Sequence, residues 1–302
     1  MTKAAERGVL REIRLRIRSR RPGAVEIIKD ILAGNGIPRQ ELVELTNEKY
    51  QCLLYYPKTS GRARHVRRLL KDLDCPGVML ETKVLSKKEW QDRWKEDFKP
   101  FALGKNFFVI PLGWPGGIRG WQKKYKTGER DLVVIDPAMA FGSGLHETTR
   151  FMVQLIESCR GSFEHFLDIG TGTGILSIAA AKCGAKQIDG IDFNPDCVKV
   201  ARGNLRRNSC RASSLKVADI HHYPSRKRYD LVAANLVTHN LVRAARKLAS
   251  LVRSEKYLAV SGVSLENVPV LKKAFRKYPL RPLKIIKGKE WAAVLYKKYK
   301  RT

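Results

Sequence analysis

Apolar and polar positions alternate with a period of two, change to a period near 3.6, and return to two, and this happens twice in the first eighty or so residues. Every second residue of Glu12–Ile17 is apolar, Ala24–Ala33 carries a helical stripe that stops at Gly34-Asn-Gly36, and Glu41–Leu45 alternates again. A second round places strands at Tyr50–Tyr56 and Val78–Thr82 around a helix through Arg64–Leu73. The order strand, helix, strand, strand, helix, strand predicts a small ferredoxin-like α+β sandwich over residues 1–83.

The pattern then changes. In residues 84–130, Trp90, Trp94, Phe98 and Phe101 recur at spacings that put them on one face of a helix. A strand Phe107–Ile110 and a Pro/Gly-rich stretch follow, so this interval reads as an interdomain connector. From residue 131 to 302 strands and helices alternate: strands at Leu132–Ile135, Phe166–Ile169, Gln187–Asp192, Ser214–Val217, Asp230–Ala234 and Tyr257–Ser261, then a pair at Lys284–Gly288 and Trp291–Tyr296. Helices are expected at Ile175–Cys183, Asp196–Asn208 and Asn240–Val252. The expected fold class is α/β: a Rossmann-like, mostly parallel sheet closed by a C-terminal β-hairpin, as in class I methyltransferases.

Composition narrows the function classes. A chain of 302 residues with 43% apolar content supports two ordinary cores. No apolar run approaches the roughly 18 to 20 residues of a membrane span, so no membrane partner is expected. Six cysteines show no C-x-x-C pair or zinc spacing, which points to a reducing cytoplasm and no metal. The net charge of +30 favours anionic partners such as ribosomal RNA, or a solvated basic surface.

The chemistry concentrates in Leu167-Asp168-Ile-Gly170-Thr-Gly172-Thr-Gly174. A dinucleotide fingerprint needs glycine at 175, where the chain has Ile175. With no pyrophosphate to cradle, the glycines instead let backbone approach an amino-acid moiety and a ribose. Ahead of them a hydroxyl-rich loop runs from Asp136 to Thr149 into a helix that can reach the same ligand. S-adenosylmethionine is the expected cofactor. Asp168 can hold its ammonium, Asp192 the ribose hydroxyls, and Asp219 the adenine amine; strand-end turn roles are the alternative for the last two. Asn235 can aim its amide oxygen at an amine entering for methylation, or serve as a capping residue. Leu236, Val237 and Thr238 follow it where base-modifying enzymes carry a stacking aromatic, so nothing there is ready to hold a flipped base.

At these residues the chain resembles the ribosomal protein L11 methyltransferase family, over nearly its whole length. Glu89-Trp-Gln-Asp-Arg-Trp94-Lys-Glu-Asp-Phe98-Lys-Pro is close to the family's linker, and Asp136 to Thr149 matches its D-P-x-x-A-F-G-T-G-x-H-x-T-T loop. The resemblance implies that Thr148 and Thr149 orient the methionine end of the cofactor, that Phe141 and His146 shape the loop above it, and that Gly170, Gly172, Asp192 and Asn235 keep the roles argued above. It further implies methyl transfer to lysine amines, and the N-terminal amine, of ribosomal protein L11. The chain departs from the pattern at Ser143, at Glu147 where proline is common, and at Thr238-His239-Asn240. The competing readings are an RNA methyltransferase, a methyltransferase of another ribosome-associated protein, and a binding module without catalysis.

Overall fold

The computed structural model describes residues 9–17, 42–44, 51–57, 64–68, 78–86, 99–115, 118–136, 142–223 and 226–300. They divide into two compact units, Met1–Lys99 and Pro100–Thr302. The dividing point falls inside the expected 84–130 connector.

In the first unit β1 (Val9–Ile17), β2 (Leu42–Glu44), β3 (Gln51–Pro57) and β4 (Val78–Ser86) form one sheet in the order β2-β3-β1-β4. Every neighbouring pair is antiparallel, with Ile13 in register with Leu54 on one side and Thr82 on the other. This is the strand order of a ferredoxin-like split βαβ. Residues 64–68 are helical; the rest of the expected helix Arg64–Leu73, the whole of Ala24–Ala33, and Trp90, Trp94 and Phe98 lie outside the described residues.

The second unit contains two sheets. The larger is built from β8 (His165–Ile169), β9 (Gln187–Asp192), β10 (Ser214–Val217), β11 (Tyr229–Asn235), β12 (Val252–Ser264), β13 (Leu280–Lys287) and β14 (Trp291–Lys298). Its order is β10-β9-β8-β11-β12-β14-β13, parallel as far as β12 and antiparallel at the closing hairpin. The central strands are buried on both faces, with Phe166, Leu167, Leu231, Val232, Ala233 and Ala234 fully shielded from solvent. That explains their continuous apolar runs. Helix α3 (Ile175–Lys182) is equally apolar, and Ile175 through Ala180 are all buried. Helix α4 (Pro195–Arg207) starts from an Asn194 cap with Pro195 in its first turn and ends on Arg206 and Arg207, so its termini match the helix dipole. Helix α2 (Glu147–Ser158) precedes β8, and α5 (Thr238–Leu251) links β11 to β12.

Two expectations need correction. Leu132–Ile135 does form a strand, β7 (Asp131–Ile135), but it lies outside the main sheet. It pairs in parallel with β6 (Phe107–Pro111), which pairs with β5 (Phe101–Leu103), in a separate three-stranded sheet. Phe101 therefore opens a strand and does not extend the expected aromatic helix face. The physical reason for β7's position is the side chain of Asn208, which takes the place of a neighbouring strand. Its Nδ2 donates to Val134 O at 2.7 Å and its Oδ1 accepts from Val134 N at 2.8 Å. One turn earlier on the same face, Asn204 treats Asp136 in the same way, at 2.8 and 2.9 Å.

Asn204 is wholly buried and also donates to Thr173 O at 2.9 Å. Asn204→Ala leaves these backbone groups without that partner and is expected to destabilise the protein by about 2 to 4 kcal/mol. The comparison of urea unfolding midpoints with wild type measures this; a loss below about 0.5 kcal/mol would show that the junction is not held by this amide.

Candidate active site

The glycine turn lies where β8 hands over to α3, at the C-terminal edge of the main sheet, and the sheet order reverses between β8 and β11. In open α/β sheets ligands bind in that crevice. Gly170, Gly172 and Gly174 all have positive φ, at 73°, 52° and 80°. Gly174 is also the N-cap of α3, and a Cβ there would come within 3.1 Å of Ala201 on α4, so both backbone conformation and helix packing select glycine. The N–H groups of Gly170 and Thr171 donate to Ile191 O at 2.9 and 3.0 Å, which fixes the turn against β9.

Asp168 is fully buried beneath this turn. Its Oδ2 accepts from Thr171 Oγ1 at 3.0 Å and from Ser177 Oγ at 2.6 Å. Its Oδ1 is buried without a hydrogen-bond partner among the described residues. Burial raises the carboxyl to about 6, against the pull of the two hydroxyls. A buried carboxylate oxygen lacking a donor is suited to an ammonium.

Asp192 closes β9 and is nearly buried. Its Oδ2 accepts from Gly172 N at 2.9 Å and its Oδ1 from Asn194 N at 2.9 Å. Burial pushes its carboxyl up while those N–H groups pull it down. Each oxygen keeps a second lone pair, enough for a pair of ribose hydroxyls. Asp219 follows β10 and is bonded to its own neighbours. Its side chain is about half exposed; its Oδ1 accepts from His221 N at 3.0 Å and its Oδ2 lies 3.4 Å from His222 Nδ1.

The loop residues assemble on the other side. Gly142 O accepts from Thr173 Oγ1, so the loop is bonded to the glycine turn itself. His146 caps α2, and its Nδ1 accepts from Thr148 N at 3.3 Å and lies 2.8 Å from Thr148 Oγ1. Thr148 Oγ1 in turn lies 3.3 Å from Asn235 Nδ2. This chain of bonds determines how the Asn235 amide is turned. In the tautomer whose Nδ1 is unprotonated, that nitrogen accepts from Thr148 N–H and from the Thr148 hydroxyl, which then keeps only acceptor capacity. Asn235 must then present its NH2 to Thr148, which leaves Oδ1 for another donor. Thr149 is buried, and its Oγ1 has no hydrogen-bond partner among the described residues. Phe141 lies outside the described residues.

The arrangement thus brings together Asp168, Gly170, Gly172, Gly174 and Asp192 on one side and His146, Thr148, Thr149 and Asn235 on the other. Asn204 and Asn208 were missed by sequence reasoning; the available signal was two asparagines four residues apart on a helix that neither favours. Phe193 was also missed. It follows Asp192 directly and is 61% exposed, an aromatic ring left in solvent at the ligand-binding edge.

The family model described as ribosomal protein L11 methyltransferase (PrmA) matches residues 28–299. The chain belongs to this family. It is 33% identical over 225 residues to a ribosomal protein L11 methyltransferase of Geotalea uraniireducens, covering 70% of this chain and 68% of that one. A protein of the same name from Geobacter sulfurreducens is 29% identical over 298 residues, 91% of this chain and 94% of its own. A solved ribosomal protein L11 methylase from Lactobacillus delbrueckii subsp. bulgaricus shares the fold, with a TM-score of 0.58, 20% identity, and coverage of 67% of this chain and all of that one.

The protein is therefore a methyltransferase, and S-adenosylmethionine is its cofactor; the partnerless Asp168 oxygen, the Asp192 carboxylate and the glycine turn fit its ammonium, its ribose and its close approach to backbone. Because Asp168 titrates at about 6, an ammonium cannot pair with it below that pH until a proton leaves. S-adenosylhomocysteine, with the same ammonium, is expected to bind about tenfold more weakly per pH unit below 6 and at constant strength above it. Calorimetry between pH 5 and 7.5 reads both the affinity and the released proton, and Asp168→Asn should flatten the profile. For stability without cofactor the sign is opposite: the native carboxyl keeps a proton that the unfolded chain releases, so stability declines as pH rises from about 4 to about 6.

Proposed function

We propose that this protein transfers methyl groups from S-adenosylmethionine to lysine side-chain amines, and to the N-terminal amine, of ribosomal protein L11 in the cytoplasm. The observation that carries the amine acceptor is the Asn235 amide, whose NH2 meets Thr148 Oγ1 at 3.3 Å and so leaves Oδ1 for an entering amine. Family membership supports the protein target, and the ferredoxin-like unit within residues 1–83 is the part that recognises it, joined through 84–130 to the methyltransferase domain of 131–302.

The bound cofactor supplies an electrophilic methyl on a sulfonium. Asn235 Oδ1 accepts an N–H of the neutral amine and turns its lone pair towards that methyl. Held there, the sulfonium would supply its methyl to that nitrogen as the C–S bond leaves its electron pair on sulfur, and the extra proton on nitrogen would leave to water. Desolvation beside a sulfonium lowers the amine's pKa, so alignment is the main task left to the side chains. His146 is occupied as a helix cap and as the acceptor for Thr148, and it is a positioning residue in this scheme. Asp168, Asp192 and Thr149 bind; Asp219 is assigned to the adenine amine.

The charge of +30 supports a second contact, with ribosomal RNA, that docks the enzyme on ribosomal particles. An RNA substrate is less well supported, since the residues after Asn235 are Leu236, Val237 and Thr238.

Purified enzyme with cofactor and free L11 is expected to add mass increments of one methyl or more, and Asn235→Ala to lower kcat about a hundredfold while S-adenosylhomocysteine still binds. Label recovered in RNA after phenol extraction, or no increment on free protein or assembled subunits, would refute the target. If RNA docking operates, methylation of assembled large subunits should fall more steeply with salt than methylation of free L11; equal salt slopes would remove the RNA contact.

A further inference from the structure

The loop residue Glu147, one of the departures from the family pattern, makes a contact that the cofactor chemistry does not require. It is the first residue of α2, and its side chain meets the turn between β13 and β14. Lys289 N–H donates to its Oε1 at 3.2 Å, and a Cβ on Gly288 would overlap the carboxylate. The turn is closed by Gly288 N–H donating to Trp291 O and is held at its far side by Leu265 N–H donating to Glu290 O, both at 2.9 Å. Trp291 then sets its ring against His146, 5.5 Å between centroids and close to edge-on at 65°. From His146 the hydrogen bonds run through Thr148 to Asn235. A proline at 147 would stiffen the helix start but leave the turn untouched.

We propose that the turn 288–291 is one wall of the mouth through which the acceptor amine reaches Asn235, and that Glu147 is the positioning residue that sets it. This rests on the reading of Asn235 as the group that receives the amine. The carboxylate anchors the turn, the turn places Trp291, and Trp291 backs the imidazole whose Nδ1 orients Thr148 and hence the Asn235 amide. Glu147 touches neither cofactor nor acceptor. Its effect is on how well the acceptor is aligned, and cofactor affinity is independent of it.

Two substitutions break the contact from opposite sides. Glu147→Ala removes the acceptor; Gly288→Ala inserts a methyl that displaces it, at a glycine that does not have positive φ. Each is expected to lower kcat/KM for free L11 about three- to tenfold with an unchanged dissociation constant for S-adenosylhomocysteine. The double variant should be no worse than either single one. Glu147→Gln keeps an oxygen for Lys289 N–H while losing the charge near the helix start, and should restore most of the rate. Amide exchange at Lys289 should accelerate in both alanine variants. Wild-type kcat/KM in Glu147→Ala, additive losses, or unchanged Lys289 exchange would overturn the proposal. A wild-type protein that methylates no amine acceptor would instead overturn the functional reading, and Lys289 exchange would still decide whether Glu147 positions the turn.

Discussion

The side-chain amides of Asn204 and Asn208 join two sheets of the second unit that share no strand pairing. β7 leaves the small sheet and runs into the loop that carries His146, Thr148 and Thr149; the glycine turn belongs to the large sheet. Asn204 bonds both, reaching Asp136 on one side and Thr173 on the other. Each such bond adds only about 1 kcal/mol net, but leaving its buried partners unsatisfied costs more than that. The distance between the loop and the turn is therefore held by one helix face, and the space between them is the proposed cofactor site. Thr173 hydroxyl to Gly142 carbonyl adds a direct tie at the narrowest point.

Within that frame several polar groups are left incompletely satisfied. Asp168 Oδ1 and Thr149 Oγ1 are buried without hydrogen-bond partners among the described residues. Burial makes the charged form of Asp168 costly, which is why its carboxyl titrates so high. A ligand that brings an ammonium offsets this cost directly, and by linkage it stabilises the folded state increasingly as its concentration exceeds its dissociation constant. In the proposed site the groups that weaken the cofactor-free protein are those a bound cofactor would satisfy.

Much of this was legible in the residues. The parallel strands could be located because burial on both faces demands unbroken apolar runs, and the glycine turn because alternating glycines before an apolar helix have few other uses. Asp168, Asp192 and Asn235 were legible as polar residues ending buried strands. β7 was misplaced because its short apolar run looks the same whether its neighbour is a strand or an asparagine side chain. Phe101 was misplaced because spacings of four, four and three fit a helix equally well whether or not the chain turns into a strand after Lys99-Pro100. Phe193 gave no periodic signal at all: a single exposed aromatic after a strand-end acid stands out only once the sheet edge is known. Glu147 could be noticed as a departure, but its partner lies 142 residues away and no local pattern connects them.

The orientation of Asn235 links the start of a helix to the class of substrate. In the tautomer in which His146 Nδ1 accepts to cap α2, Thr148 donates to it and Asn235 offers its NH2 to Thr148, leaving its oxygen for another donor. On the proposed reading that oxygen receives the acceptor, and an amine is a donor whose remaining lone pair can still attack. Flat bases would need an aromatic surface as well. Leu236 packs towards Gly170, Val237 is exposed and aliphatic, and Trp291 is already engaged with His146. On the proposed reading a slender aliphatic amine needs only a hydrogen-bond acceptor, and the Asn235 amide is the group that offers one.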